Sequence, residues 1–465
     1  MRTRRTPIGL AVLVALVTAA LWQPAAAQDA PEEPLVSGNV SLITSVPNAG
    51  VIGARFRQGV MYVTSVTGLT TYDVSDPANP TLLGALPLPH FENEDVDLGG
   101  DILLISNDAA ESTGVLYVID ISDPAMPGLL TAFPMGGVAG LGGPGHTASC
   151  VLGCRYVWVT DGGGIKVIDL TDPANPVDKG NFAPPNGGLA THDVQVDRSG
   201  LVWVAGFNGT AAYRLPSDYS GGTDPNEAEL VVQTNLEANS TYDEEFGLGD
   251  GSNYNDYIHH NALRVGDKDV LYITEEDYTR PACQGAGSFQ TWRLPTNKKG
   301  APTGAELTPL DMWQPELLRD LTAATAMCSA HYFDVRRNVV AQGWYEMGVR
   351  FLDVSDPRKI RQIGYFVPPT AMTWAAYFAP TDKSKSIVYV LDATHGIDVL
   401  QIARPAKGPL SAPAEPCRTQ ACRDRNKPPK AKAPVLDEWT TGTPLAFMNP
   451  TFGWACRLSA PLSVQ

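Results

Sequence analysis

The segment Thr-Tyr-Asp-Val-Ser-Asp-Pro-Ala-Asn-Pro at residues 71–80 recurs along the chain and decides its fold. Close copies occupy residues 118–127, 167–176 and 351–357. Each copy predicts a short strand that ends in a turn, because Asp and Ser side chains hydrogen-bond to nearby backbone and Pro cannot continue a strand ladder. An internal repeat of this length indicates a ring or a stack of small β-sheets.

Each copy is flanked by further segments that read as strands, such as the aromatic and β-branched stretches at 156–159 and 201–204. Four short strands per repeat, with repeats about 42 to 71 residues apart, are typical of β-propeller blades. Aligned on their innermost strands, the repeats start at Ile52, Glu94, His146, His192, His260, His331 and Trp374. The sequence therefore predicts an all-β, seven-bladed propeller with four-stranded antiparallel blades.

The last repeat, residues 374–402, contains only three predicted strands. Residues 38–47 have the pattern of the missing outer strand. We therefore expect this N-terminal strand to close the ring against the last blade, which would remove the open sheet edges that favour aggregation.

The repeats resemble those of the LVIVD-repeat proteins, a family of exported or cell-surface β-propellers, over residues 38–402. This resemblance implies the fold and carries no common activity. Blades 4 and 5 depart from the pattern, because residues 212–216 and 291–295 replace the Asp-Pro turn and both blades carry long insertions. A function particular to this chain is expected there.

Composition limits the partners. The chain has 43% apolar and 18% charged residues, with 44 Gly and 38 Pro that interrupt any long helix. Its formal charge of −16 makes nucleic acid and anionic membranes poor partners.

Residues 1–27 read as a secretory signal peptide, with three Arg, an apolar stretch at 8–22 and Ala-Ala-Ala at 25–27. The alternative is an uncleaved anchor, although the stretch is shorter than the ~20 residues that a span needs. No other segment is apolar for long enough, so the mature chain is predicted to lack an integral span and to be periplasmic, extracellular or attached to the cell surface.

The chain after the propeller changes in composition. Residues 403–434 read as a Pro/Lys/Arg-rich linker or a segment lying on the acidic body, since 404–432 hold eight basic residues and two acidic ones. Residues 435–465 form a C-terminal tail whose aromatic residues are Trp439, Phe447, Phe452 and Trp454.

Seven cysteines in an exported chain favour disulfides over metal sites. Cys150 and Cys154 flank a predicted tight turn, while Cys283 and Cys328 fall in loops of one face. Both pairs are candidate disulfides, and the alternative for Cys283 and Cys328 is a pair of reduced thiols that bind metal.

Four consecutive repeats place a histidine at the start of the innermost strand, and these residues are His146, His192, His260 and His331. Equivalent positions of successive blades form a ring around the channel, so their imidazoles are expected to converge. Converging neutral imidazoles with a carboxylate suit a divalent transition metal such as iron, copper, manganese or zinc. Glu94 is the expected carboxylate, as a fifth ligand or a general base. The alternative is a structural role, with each histidine bonded to the backbone of a neighbouring blade.

Several residues are expected to surround this site. The candidates for orienting the ligands or lining the rim are His90, Glu92, Asp193, Asn261, Trp344, Trp374 and His395, although His395 also fits a solvated loop residue. Residues 250–256 carry oxygen ligands at alternate positions, which could hold Ca²⁺, but they lack the EF-hand glycine and final glutamate, and a solvated acidic loop is the favoured alternative.

The sequence has no nucleophile elbow, HEXXH helix, phosphate loop or dinucleotide fingerprint. The function expected is that of an exported propeller with a His-rich metal site at the channel mouth, acting as a metal-dependent oxidoreductase or lyase on a small organic substrate. The alternative is a non-catalytic cell-surface scaffold that binds protein or glycan on its loop-rich face.

Overall fold

The chain divides by its internal contacts into residues 1–33 and residues 34–465. The computed structural model describes residues 33–403 except for 89–95, 108–113, 137–144, 162–163, 183–190, 207–208, 223–226, 235–241, 244–247, 250–253, 255–257, 266–268, 277–286, 305, 316–327 and 385. The predicted signal peptide, linker and tail lie outside the described residues.

The described strands form seven blades, preceded by β1 (Leu35–Val36) and β2 (Val40–Val46). Blade 1 contains β3 (Val51–Arg57), β4 (Val60–Ser65), β5 (Gly68–Asp73) and β6 (Thr81–Pro87). Blade 2 contains β7 (Val96–Gly99), β8 (Ile102–Asn107), β9 (Gly114–Asp120) and β10 (Gly128–Gly136). Blade 3 contains β11 (Ala148–Val151), β12 (Tyr156–Asp161), β13 (Gly164–Asp169) and β14 (Val177–Phe182).

The second half of the ring repeats this order. Blade 4 contains β15 (Thr191–Val196), β16 (Val202–Gly206), β17 (Gly209–Arg214) and β18 (Glu229–Gln233), and a hairpin of β19 (Tyr242–Asp243) and β20 (Leu248–Gly249) follows. Blade 5 contains β21 (Ile258–Arg264), β22 (Val270–Glu276), β23 (Ser288–Arg293) and β24 (Thr308–Trp313). Blade 6 contains β25 (Phe333–Arg336), β26 (Val339–Gly343), β27 (Val349–Asp353) and β28 (Arg361–Val367). Blade 7 contains β29 (Thr373–Phe378), β30 (Ile387–Asp392) and β31 (Gly396–Ile402).

The N-terminal strand closes the ring, and this prediction is confirmed. β2 pairs antiparallel with β31, from Val40 opposite Ile402 to Val46 opposite Ile397, and supplies the fourth strand of blade 7. β1 adds a fifth strand to blade 6 by pairing with β28, which the sequence did not predict. The N-terminal segment therefore covers the outer edges of two blades.

The repeated turn has the chemistry that its sequence predicts. In blade 1 the Asp73 carboxylate accepts a hydrogen bond from the Ser75 amide (2.8 Å), and the Asp76 carboxylate accepts one from the Ala78 amide (3.1 Å). The same pair of bonds recurs in blades 2, 3 and 6. The turn also binds the preceding blade, since Tyr389 of blade 7 donates to the Pro77 carbonyl (3.0 Å).

The apolar core lies between successive blades. Trp158, Trp203 and Trp292 are at most 1% exposed and occupy the second or third strands of blades 3, 4 and 5. Burial of such side chains contributes about 3 kcal/mol each. No helix among the described residues is long and apolar enough to cross a membrane.

The innermost strands surround the channel and start within two residues of their predicted positions in every blade. Because blades are antiparallel, the first and third strands run away from the face where the inner strands begin. The predicted histidines therefore lie near that face, and the repeated turns lie on the opposite one.

Candidate metal centre

The histidine arc, which we define as His146, His192, His260 and His331, is continuous. Ring centroids of neighbours in the arc are 4.5, 4.3 and 3.9 Å apart, in that order. All four side chains are at most 1% exposed. The structure therefore brings together the four residues that the repeat aligned.

β-bulges lie at the predicted ring position in three blades. In β15 the pairing skips His192, since Thr191 lies opposite Gly206 and Asp193 opposite Ala205. In β21 and β29 the pairing likewise skips His260 and Trp374. A bulge re-aims a side chain and is common beside functional sites.

Three ligand atoms converge within the arc. His192, His260 and Glu276 each offer one atom, and these atoms all lie within 4.8 Å of one another. The His192 Nε2 atom lies 3.9 Å from Glu276 Oε2 and 3.0 Å from His146 Nε2. We call His192, His260 and Glu276 the metal triad.

Backbone carbonyls of the next blade set the tautomers of two arc histidines. His192 Nδ1 donates to the His260 carbonyl (3.1 Å), and His331 Nδ1 donates to the Trp374 carbonyl (2.9 Å). A carbonyl only accepts, so the proton is on Nδ1 and the lone pair of each neutral ring is on Nε2. Such a bond orients a metal-binding imidazole. This assignment makes His146 Nε2 the donor to His192 Nε2 (3.0 Å), so an ion bound at His192 would replace that bond, whereas the two bonds to carbonyls could remain.

Burial keeps the triad histidines neutral. It lowers the pKa of His192 and of His260 well below the ordinary value, and the neighbouring arc imidazoles lower the pKa of both further. Neutral imidazole is the form that binds metal. His192 and His260 are thus in a ligand-competent state at neutral pH.

Tyr345 fixes the orientation of the triad carboxylate. Its hydroxyl donates to Glu276 Oε1, and the other oxygen, Oε2, is the one near His192. Tyr345 has φ of +37°, a left-handed conformation that is uncommon for a bulky residue. Two backbone hydrogen bonds of 3.0 Å with Thr373 hold it there. Strained backbone of this kind is concentrated at functional sites.

Glu276 was not predicted as a ligand, and the expected carboxylate Glu94 lies outside the described residues, as do His90 and Glu92. Glu276 ends β22, directly opposite Ile258 and two residues from His260 in register. A hairpin register assigned to blade 5 could have found it, because the last residues of the second strand lie opposite the first residues of the first strand.

Asp193 and Asn261 bond to each other rather than to imidazoles. Asn261 Nδ2 donates to Asp193 Oδ2 (2.7 Å), and Gln195 Nε2 lies 3.3 Å from the other oxygen. Burial raises the pKa of Asp193 to about 6. Each of the two residues follows a histidine that a β-bulge leaves out of the strand pairing, and each is itself paired with the neighbouring strand. They therefore form a layer next to the arc.

The aromatic candidates separate into two environments. Trp374 packs against His331, with centroids 5.0 Å apart, and so borders the arc. Trp344 is fully buried in the core between blades 5 and 6, where it packs on Trp313 at 5.3 Å. We expected Trp344 to line the rim. The structure instead places its side chain in the core, facing blade 5.

Two other histidines are satisfied by the protein. His395 is half-buried, and its Nε2 donates to the Pro369 carbonyl (2.7 Å). His259 is fully buried, with Nδ1 bonded to the Thr210 hydroxyl (2.9 Å) and Nε2 to the Tyr254 carbonyl (2.7 Å). Both ring nitrogens of His259 are therefore engaged away from the triad.

Cys150 and Cys154 form a disulfide, and Cys328 is disulfide-bonded. An oxidised Cys328 cannot supply the thiolate of the alternative metal site. Its expected partner Cys283 lies outside the described residues, as does the candidate calcium loop 250–256 apart from Tyr254.

The triad fits a transition metal. Two ligand atoms each ~2.1 Å from one ion are about 3 to 4 Å apart, depending on geometry. The distance between His192 Nε2 and Glu276 Oε2 falls in this range. Two imidazoles with one carboxylate form the donor set of non-haem iron sites and of some catalytic zinc sites. The group could therefore hold a metal with coordination positions left open.

The LVIVD repeat model matches residues 60–86, 109–133 and 144–183 of this chain. No curated protein matches it. Among solved structures, a protein from Lactobacillus plantarum is 12% identical with a TM-score of 0.50, covering 82% of this chain and 97% of that chain. The β-propeller domain of Cps50 (Swd1) from Myceliophteria thermophila is 10% identical with a TM-score of 0.49, covering 78% of this chain and all of that chain. The chain is therefore a seven-bladed β-propeller, and three of its segments match the LVIVD repeat.

Proposed function

We propose that this chain is an exported enzyme in which the metal triad binds a divalent transition metal and acts on a small organic substrate as an oxidoreductase or a lyase. The observation that carries the proposal is the convergence of buried ligand atoms of His192, His260 and Glu276 within 4.8 Å of one another.

The burial of the triad side chains supports a bound cation at this position. Placing a carboxylate with no exposure beside two imidazoles costs several kcal/mol unless a cation or hydrogen bonds compensate it. A divalent ion would neutralise Glu276 and bind the imidazole lone pairs at once. The donor set of nitrogen and oxygen suits iron, copper, manganese and zinc alike.

A bound ion would polarise a substrate oxygen or generate a metal-bound hydroxide. His146 is the residue of this chain best placed to assist, because its Nε2 lies 3.0 Å from His192 Nε2. It can add a ligand or move a proton beside the open positions. Glu94 stays our candidate for the general base, on the strength of its position in the repeat.

Export rests on the N-terminal sequence and the cysteines. Residues 1–27 have the three regions of a signal peptide, and disulfide-bonded cysteines belong to oxidising compartments. N-terminal sequencing of protein recovered outside the cytoplasm should give Gln28 as the first residue. Recovery of an intact Met1 from a membrane fraction would instead support an anchor.

The competing candidate is a non-catalytic surface scaffold that binds protein or glycan. The cross-blade hydrogen bonds of His192 and His331 favour it, since they give these histidines a structural role without metal.

Metal analysis of tag-free mature protein separates the two candidates. We expect near-stoichiometric transition metal after loading and dialysis, and a loss of at least tenfold in affinity for His260→Gln. The matched control is His259→Gln, because His259 is equally buried and adjacent in sequence but fully bonded to the protein. Metal-free protein after loading, or equal metal content in both variants, would favour the scaffold.

A further inference from the structure

The face opposite the histidine arc carries an acidic rim on three adjacent blades. We define the lower rim as the repeated turns at residues 74–80, 121–127 and 170–176, with the first residues of the outer strands that follow them. Each turn exposes one aspartate, and these are Asp76, Asp123 and Asp172. None of the three turns contains Lys or Arg.

The equivalent turn of blade 6 differs in charge. There Asp356 is followed by Arg358 and Lys359, which neutralise it locally. The repeated turns of blades 1 to 3 are therefore acidic and that of blade 6 is not, although Lys179 and Arg155 lie close to Asp169 beside the blade 3 turn.

The lower rim is also apolar. Leu82 is 66% exposed, Met126 75% and Val177 57%, one from each blade. Single exposed apolar residues are ordinary on protein surfaces. These three occupy different positions of the repeat, but each lies in a repeated turn or in the first two residues of the outer strand after it, and we call the three together the apolar stripe.

The chain leaves the ring beside this surface. β31 is the third strand of blade 7 and ends at Ile402, on the face where the third strands of blades 1 to 3 enter their turns. Blade 7 touches the blade 1 turn directly, since Thr381 Oγ1 donates to the Val74 carbonyl (2.6 Å). Residues 404–465 therefore start next to the lower rim.

Charge and composition of this C-terminal segment complement the lower rim. Residues 404–432 carry eight basic and two acidic residues, net +6, whereas the rest of a chain that starts at Gln28 carries −16 − 3 − 6 = −25. The remaining residues supply apolar groups, namely Trp439, Phe447, Phe452 and Trp454. An extended chain spans ~3.3 Å per residue, so 404–432 alone can reach about 95 Å. A domain of this size has a radius of gyration of about 21 Å, so the segment is long enough to follow three blades.

We propose that residues 404–465 dock on the lower rim of blades 1 to 3, with the basic part 404–432 against the exposed aspartates and the aromatic part against the apolar stripe. The segment then covers a surface that would otherwise attract other chains. The metal triad lies on the opposite face and takes no part in this contact.

Cross-linking of the full mature chain tests the contact. A zero-length carbodiimide reagent joins Lys to Asp only where the two touch. We expect intramolecular links from Lys427, Lys430 or Lys432 to the lower-rim aspartates at low salt, and their loss at 1 M salt because exposed charge pairs are screened. Links mainly to other faces, or between two chains, would overturn the proposal in favour of another surface or a second copy.

Hydrogen exchange of residues 404–465 gives the second readout. We expect their amides to exchange at least tenfold more slowly in the full chain than in the isolated peptide. The triple variant Asp76→Asn, Asp123→Asn, Asp172→Asn should remove most of this protection, because Asn keeps the turn's acceptor oxygen and loses only the charge. Asp356→Asn is the matched control and should leave the protection unchanged.

A second variant tests the apolar half of the contact. Replacing Leu82 and Val177 with Ser should speed exchange in 435–465 without disturbing the turns, and it replaces the triple variant if that fails to fold. Exchange at peptide rates in the unaltered chain would overturn the proposal. So would tight binding of the full chain to anionic vesicles through a free 404–432 segment.

Discussion

Replacing Asp398 with Asn should stabilise the closed ring above pH 6. Asp398 lies on β31 and is 1% exposed. Its Oδ1 accepts a hydrogen bond from the Ser45 hydroxyl on β2, so the carboxyl sits where the N-terminal strand closes the ring. Its Oδ2 is buried with no hydrogen-bond donor among the described residues.

Burial raises the pKa of Asp398 to about 6. An unfolded Asp has a pKa of about 3.9, and each unit of difference corresponds to 1.36 kcal/mol, so ionisation costs the folded state about 3 kcal/mol. Between pH 4 and 6 the folded state holds this proton and the unfolded state does not. This group therefore lowers the free energy of unfolding as the pH rises from about 4 to 6, and the full cost persists above 6.

Asparagine keeps the acceptor for Ser45 and cannot ionise. Urea unfolding followed by tryptophan fluorescence should show Asp398→Asn more stable than the parent by up to ~3 kcal/mol at pH 7.5 and by less than ~0.5 kcal/mol at pH 4. Asp356→Asn, at an exposed site, is the control for general charge effects. A variant that is destabilised at pH 7.5, or a difference independent of pH, would refute the reasoning.

Three further predictions follow from the site and the core. Tyr345→Phe should weaken metal binding by roughly 10- to 100-fold, as measured by metal titration, because the hydroxyl orients Glu276; unchanged affinity would remove that role. Glu276→Gln should weaken binding further, and its Co²⁺-loaded visible spectrum should differ from that of the parent; an identical spectrum would exclude the carboxylate as a ligand. Trp203→Ala should cost about 3 to 5 kcal/mol in urea unfolding, since it empties the core between blades, and a cost below ~1 kcal/mol would contradict that packing.

The repeat predicted the fold because its chemistry is local. Asp76 and its equivalents bond the backbone two residues on, so the turn can be read from ten residues of sequence. The closing strand β2 was predictable because blade 7 lacks one strand by count. β1 was not predictable, because only two of its residues pair with blade 6. A segment of two residues shows no alternation of apolar and polar side chains.

The arc histidines were predictable because repeat positions map onto blade positions. The missing ligand, Glu276, depends on the register of β22 against a bulged β21, and a bulge changes that register by one residue. Tyr345 reaches Glu276 from blade 6 through a left-handed turn. Contacts between blades of this kind depend on where the ring brings loops together, which no single repeat encodes.

The most direct test of the metal triad is a crystal structure of the metal-loaded mature protein with data collected at the absorption edge of the loaded ion. An anomalous peak is expected ~2.0 to 2.3 Å from an imidazole nitrogen of His192, from one of His260 and from an oxygen of Glu276. A fully loaded crystal without a peak among these three side chains, or with the ion bound elsewhere, would contradict the account.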